Sequence, residues 1–166
     1  MIPTIKLFDN DYQEKTEGVP LHRGSRGIIF KDQKIALIHY RTLNHYVLPG
    51  GGIEVDESET DALKREVLEE IGYHIKNIIP TVIVKEHFED SIWQHHYFVA
   101  STLGEAQALE LTSEEMALKP TIMWKDPLEV LSLLSTHEGE HPHSQAIMQR
   151  ELIGLMHSLS NGLQSL

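Results

Sequence analysis

The chain has 166 residues, 14 Lys+Arg against 25 Asp+Glu, a formal net charge of -11 and no cysteine. The length suits one domain with a single sizeable core, and 40% hydrophobic with 23% charged residues excludes disorder, collagen and a disulfide scaffold. Disulfides, thiol nucleophiles and Cys-ligated zinc are excluded too, no apolar run is long enough for a membrane span or a signal peptide, and the acidic balance disfavours nucleic-acid backbone, so the expected location is cytoplasmic with neither membrane nor nucleic acid as partner.

Thr4 to Phe8 alternates enough to be a first short strand, and polar Asp9 to Thr16 is expected as a loop. A strand follows at about Leu21 to Phe30. Lys31-Asp32-Gln33 reads as a hairpin turn, with Lys34 to Tyr40 as the return strand. His45 to Leu48 is short and apolar, and Pro49-Gly50-Gly51-Gly52 ends it as a turn. A helix is expected over Glu59 to Ile71, with Ser58 and Asp61 as a capping box and Gly72 as a left-handed C-terminal cap. Strands are expected over Thr81 to Glu86 and Ile92 to Ser101, then an acidic loop or short helix over Gly104 to Lys119. Thr121 to Trp124 reads as a further strand, and Pro127 opens a helix toward Leu134. Polar Thr136 to His143 reads as a loop, and Ser144 to Ser158 as a C-terminal helix. Strands then helices imply a layered α/β or α+β domain with the sheet covered by helices.

The chemistry concentrates on the Glu59 to Ile71 helix. With Glu66 at zero on a wheel of about 100° per residue, Glu70 falls near 40° and Glu69 near 300°. Leu63, Val67 and Ile71 form a separate apolar stripe for the core. Like charges three and four apart repel. A divalent cation reverses that cost, because carboxylate oxygens are favoured ligands of Mg²⁺ and Mn²⁺. The plain alternative is a solvated acidic face. Just ahead stand three glycines, which let backbone approach an ion or phosphate closely.

Gly51, Glu57, Arg65, Glu66, Glu69, Glu70 and Gly72 stand at fixed spacing over 22 residues, with an aliphatic at Val67. This segment resembles the Nudix box. The position after Gly72 is usually aliphatic there and is Tyr73 here. Tyr46-Val47-Leu48-Pro49-Gly50-Gly51 resembles the lead-in to the box, and Arg23 to Ile29 the family's early core strand. The resemblance covers about Leu21 to Trp124 of a single domain over 1–166.

The resemblance implies a mixed β-sheet sandwiched between helices, with the box as loop, helix and loop. It implies a metal-dependent hydrolase of phosphorus anhydride bonds, acting on a nucleoside diphosphate linked to a further group. Glu66, Glu69 and Glu70 would hold Mg²⁺ or Mn²⁺, helped by a carbonyl of Gly50 or Gly51. Glu57 and Arg65 would organise the carboxylates. A glutamate would accept the proton of the attacking water; Glu66 is the first choice, with Glu114 and Glu115 as loop alternatives. Arg23, Arg26 and Arg41 are candidates for substrate phosphates, since Arg suits bidentate phosphate binding. Arg23 and Arg26 should face opposite sides of their strand.

Subgroup marks known in the family narrow the substrate by absence. Glu86 to Asp90 lacks the proline of ADP-ribose hydrolases, and Glu89 to Trp93 lacks the tyrosine of diadenosine polyphosphate hydrolases. What remains is a MutT-like hydrolase of nucleoside triphosphates or related nucleotides, with ADP-ribose or nucleotide-sugar hydrolysis and a non-catalytic nucleotide-binding module as alternatives. A homodimer is compatible with family habit. His137, His141 and His143 with Glu138 and Glu140 could bind zinc or be a solvated loop. Trp93, Tyr46, Tyr97 and Trp124 could stack on a base or simply pack.

Overall fold

The computed structural model describes residues 1–8, 18–141 and 143–162. The loop expected over Asp9 to Thr16 lies outside these residues, as does Pro142. In chain order come β1 (Thr4–Phe8), β2 (Leu21–Lys31), β3 (Lys34–Tyr40), β4 (His45–Val47), β5 (Gly50–Gly52), α1 (Glu59–Ile71), β6 (His74–His87), β7 (Ile92–Leu103), α2 (Ser113–Ala117), β8 (Pro120–Lys125), α3 (Pro127–Thr136) and α4 (Ser144–Gly162).

The strands form one mixed sheet in the order β1-β6-β7-β2-β3-β4, with β5 added to β2 and β8 to β3. β1 runs parallel to β6 and β2 parallel to β7; the other pairings are antiparallel. Asp32 and Gln33 both adopt positive φ, as a tight two-residue hairpin requires. β2 and β3 then pair only at Phe30–Ile35 and Lys31–Lys34 before taking different partners. The glycine segment β5 pairs with the first half of β2, and α1 packs against both.

Alternation along the strands gives each face its own core. Ile28, Leu37, Val84 and Tyr97 pack with Val130, Leu134, Met148 and Leu155 under α3 and α4. Their neighbours Ile29, Ile38 and Phe98 pack with Leu63, Val67 and Ile71 of α1 on the other face. Burying each of these three α1 side chains contributes about 1.5–3 kcal/mol. The fold is a mixed α+β sandwich, helix on sheet on helices. No helix among the described residues is long and apolar enough to cross a membrane.

Three local expectations are corrected. Gly50–Gly52 is not a turn but a strand, because its backbone pairs with Gly24, Ser25 and Arg26 of β2. β6 starts at His74, right after α1, seven residues before Thr81. Its early part is broken by register shifts around Lys76/Ile79 and Pro80/Val82, and Asn77 has positive φ, so the period-two pattern is hidden. The helix start is also not a full capping box. Ser58 Oγ accepts from the Asp61 amide at 3.1 Å, but the Asp61 carboxylate bonds back to the Ser58 hydroxyl. Gly72, at φ 76, closes α1 as a left-handed cap. Tyr73 packs edge-on against Trp124 and its hydroxyl accepts from Lys31 Nζ.

Candidate functional site

The wheel positions of the glutamates explain their different fates. Glu70 lies nearest the apolar stripe of α1 and is only 4% exposed; Glu66 is 8% exposed. Glu69, on the far side of Glu66, stays half-buried. Burial pushes the Glu70 carboxyl up to about 8, against the opposing hydrogen bond from the Gly50 amide. Its Oε2 accepts from Gly50 N at 2.7 Å and its Oε1 from the Tyr40 hydroxyl at 3.2 Å. Burial also raises Glu66, although Arg65 NH1 donates to its Oε1 at 2.8 Å.

Close approaches require glycine at two positions here. Gly50 has φ 134, and a side chain on it would run into the Ser25 carbonyl. A side chain on Gly51 would occupy the space of the Glu66 carboxylate.

Arg65 organises the acidic helix face. Its Nε and NH2 grip the two oxygens of Glu57, each at 2.9 Å, and NH2 also donates to the Gly52 carbonyl. NH1 reaches Glu66 and, at 3.3 Å, Glu69. The Arg65 bonds hold the Glu57 carboxyl below its ordinary range. One guanidinium thus contacts three carboxylates and fixes the loop before α1 to the helix.

The third carboxylate comes from far along the chain. Thr112 and Glu115 form a reciprocal capping box that starts α2. That turn brings Glu115 to Glu66 and Glu70, so that one ligand oxygen from each lies within 4.8 Å of the others. Glu114 is exposed and Glu69 stands outside this group. A trio of hard oxygen donors, one of them costly to ionise in burial, is chemically suited to a divalent cation such as Mg²⁺.

The three arginines separate. Arg26 is half-buried and donates through NH1 to the Gly50 carbonyl and to Leu48 O. Arg23 points to the other face and pairs with Glu59 at the start of α1. Arg41 is exposed and donates to the Lys119 carbonyl at 3.3 Å. His137 bonds the Asn44 carbonyl, and His141 packs beside His143. Among the described residues these histidines form no metal-holding group. Tyr97 and Trp124 pack internally and Tyr46 stacks on His39, whereas Trp93 stays 38% exposed.

Some participants escape sequence reasoning. Nothing local marks the Tyr40 hydroxyl or the Gly50 amide as partners of Glu70. A signal did exist for Glu151: it lies three residues after Met148 and four before Leu155, on the apolar face of α4, where it is fully buried.

Comparison with known proteins agrees with this geometry. The NUDIX domain family model matches residues 20–147. A Bacillus subtilis (strain 168) protein provisionally named an 8-oxo-dGTP diphosphatase is 33% identical over 82 residues, which is 49% of this chain and 54% of that protein. The chain therefore spans about half the length of that curated relative. The crystal structure of the mutator MutT protein of Bacillus halodurans superposes with TM-score 0.55 at 29% identity, covering 68% of this chain and 72% of that one. The solution structure of the E. coli ORF135 protein shares the fold with TM-score 0.59 at 20% identity, covering 86% and 91%. With its box, sandwich and carboxylate trio in place and most of its length matched, the chain belongs to the NUDIX family.

Proposed function

We propose that the protein is a metal-dependent hydrolase that cleaves a diphosphate linkage in a nucleotide, most directly a nucleoside or deoxynucleoside triphosphate. The observation that carries this is the meeting of Glu66, Glu70 and Glu115 from two elements distant in sequence. The name of the Bacillus subtilis relative supports the nucleoside triphosphate class for that protein, and the alignment brings it here as a proposal.

Glu66, Glu70 and Glu115 would hold the cation. Glu69 and the Gly50 and Gly51 carbonyls are proposed as further donors; the Gly50 carbonyl already accepts from Arg26, which favours Gly51. When bound, Mg²⁺ or Mn²⁺ polarises the phosphoryl group and lowers the pKa of water. Glu70 has both oxygens engaged and acts as an anchor. Glu66 keeps Oε2 free of hydrogen bonds among the described residues, and burial raises its basicity, so it is proposed as the acceptor of the water's proton. Arg65 and Glu57 fix Glu66 in place. Arg26 supplies positive charge beside Glu70 and is placed to meet a substrate phosphate.

The test is a Mg²⁺-dependent hydrolysis screen over nucleoside triphosphates, nucleotide sugars, ADP-ribose and dinucleoside polyphosphates. Turnover of triphosphates supports the proposal. Saturable binding without turnover of any compound would make the protein a binding module instead.

A further inference from the structure

Arg26 sits in the middle of a row across the sheet, opposite Gly50 of β5 on one side and Tyr97 of β7 on the other. Ile28, two residues on, packs under α3 and α4, so the Arg26 side chain lies on that same face. There the guanidinium is reached from two directions. From the sheet, the Gly50 and Leu48 carbonyls both accept from NH1. From α4, Glu151 brings its Oε1 to 3.8 Å from Nε. Arg26 NH2 makes no hydrogen bond among the described residues.

Glu151 is itself held at both oxygens. It is fully buried. Oε1 accepts from Arg150 NH2 at 2.6 Å, and Oε2 accepts from the Tyr97 hydroxyl at 3.4 Å. A carboxylate gripped in this way cannot swing to follow a moving partner, so it presents a fixed negative charge to Arg26. Among the described residues it is the one carboxylate within ion-pair distance of that guanidinium.

Stability alone does not account for Glu151. Burying an ion is costly, and apolar residues of similar volume usually give equal or better stability than a buried ion network. Nor does Arg150 depend on it for a counter-charge, because Glu86 already stands 3.2 Å from Arg150 NH1. What Glu151 adds is its reach to Arg26, whose Nε is buried without a hydrogen-bond partner among the described residues. Arg150 and Glu151 lie past residue 147, where the match to the family ends, so this support comes from outside the shared domain. A guanidinium fixed before the substrate arrives loses less side-chain freedom on binding than a loose one, and that saving appears in affinity.

We propose that Glu151 is a positioning residue acting through Arg26: from α4 it holds the guanidinium so that NH1 keeps the Gly50 carbonyl while NH2 faces the phosphates of the substrate. The phosphate contact rests on the hydrolase proposal above; the fixing of Arg26 does not. Two measurements test it. The first reads solvent exchange of the arginine Nε–H groups by NMR, on protein labelled at its arginine nitrogens, with the Arg26 signal assigned by its loss in Arg26→Gln. Glu151→Gln keeps the size of the side chain and an acceptor for Arg150 but loses the charge, and it should speed exchange at Arg26 about tenfold or more. The second is hydrolysis of a nucleoside triphosphate with Mg²⁺. Glu151→Gln should raise KM about fivefold or more and leave kcat within about twofold. In the Arg26→Gln background the same change should have little further effect on KM. Unchanged Arg26 exchange in folded Glu151→Gln would overturn the proposal, as would an equal rise in KM in both backgrounds, which marks a purely structural role. If Glu151→Gln does not fold, Tyr97→Phe removes only the hydroxyl on Oε2 and should move both readouts in the same direction; no movement in either would overturn the proposal. Absence of nucleotide turnover by the wild type would defeat the hydrolase proposal alone, and the exchange measurement then decides the role of Glu151.

Discussion

The backbone N–H of Gly50 donates to Oε2 of Glu70 over 2.7 Å, tying a glycine strand to the most buried carboxylate of α1. The bond depends on a conformation that only glycine takes easily, φ 134, with no room for a side chain beside the Ser25 carbonyl. Gly50→Ala should therefore lower stability by about 2 kcal/mol or more. It should also weaken the response to Mg²⁺, because Glu70 loses its anchor. Denaturant melts with and without Mg²⁺ check both effects.

Glu70 makes stability depend on pH with a definite sign. Its native pKa of about 8 lies above the ordinary value of 4.5, so the folded state binds the extra proton between these limits. Stability of the metal-free protein from this group is full below the unfolded value and is lost as pH rises toward 8. Glu70→Gln, which never ionises, should remove this loss. In chelator the variant should melt progressively higher relative to wild type from pH 5 to pH 8. Adding Mg²⁺ should reverse the order by stabilising only the ionised wild-type group. Parallel melting curves for the two proteins across that range would show that Glu70 is not held protonated.

Much of the sandwich was legible because strand alternation and helix caps are local signals. α1 and β1 follow from Ser58, Gly72 and the pattern of Thr4 to Phe8. What stayed hidden is set by tertiary pairing. β5 is a strand only because β2 offers Gly24 to Arg26 as partners. The early part of β6 is masked by its bulges. At the site, the helix wheel placed three glutamates on one face, but it could not show that Arg65 bridges Glu57, Glu66 and Glu69 together. The acidic excess of that segment is thus partly offset within the chain; of the carboxylate trio, Glu66 alone makes an Arg or Lys ion pair among the described residues. Nor does local sequence link Arg150 of α4 to Glu86 of β6.

Arg65→Lys separates charge from geometry. A lysine keeps one positive charge but cannot grip Glu57 with two parallel bonds while reaching Glu66 and the Gly52 carbonyl. Supports of this kind typically change metal affinity or activity about 10–100-fold. The expected outcome is a loss of that size in kcat/KM and a higher Mg²⁺ requirement, read from a Mg²⁺ titration of the rate. Wild-type kinetics in the lysine variant would show that charge alone suffices.

Glu114 and Glu115 provide a built-in comparison. Adjacent in sequence, only Glu115 joins Glu66 and Glu70. Glu115→Gln should blunt the rise in melting temperature caused by Mg²⁺ and slow turnover, whereas Glu114→Gln should do neither. Because Glu115 also caps α2, circular dichroism of both variants controls for lost local structure.

The measurement closest to the central claim is nucleoside triphosphate hydrolysis by wild type and by the Glu66→Gln/Glu70→Gln double variant, with and without Mg²⁺. The account predicts wild-type turnover only when Mg²⁺ or Mn²⁺ is present, and a loss of about 100-fold or more in the folded double variant. Equal turnover by the two proteins, or wild-type turnover undiminished in chelator, would contradict it.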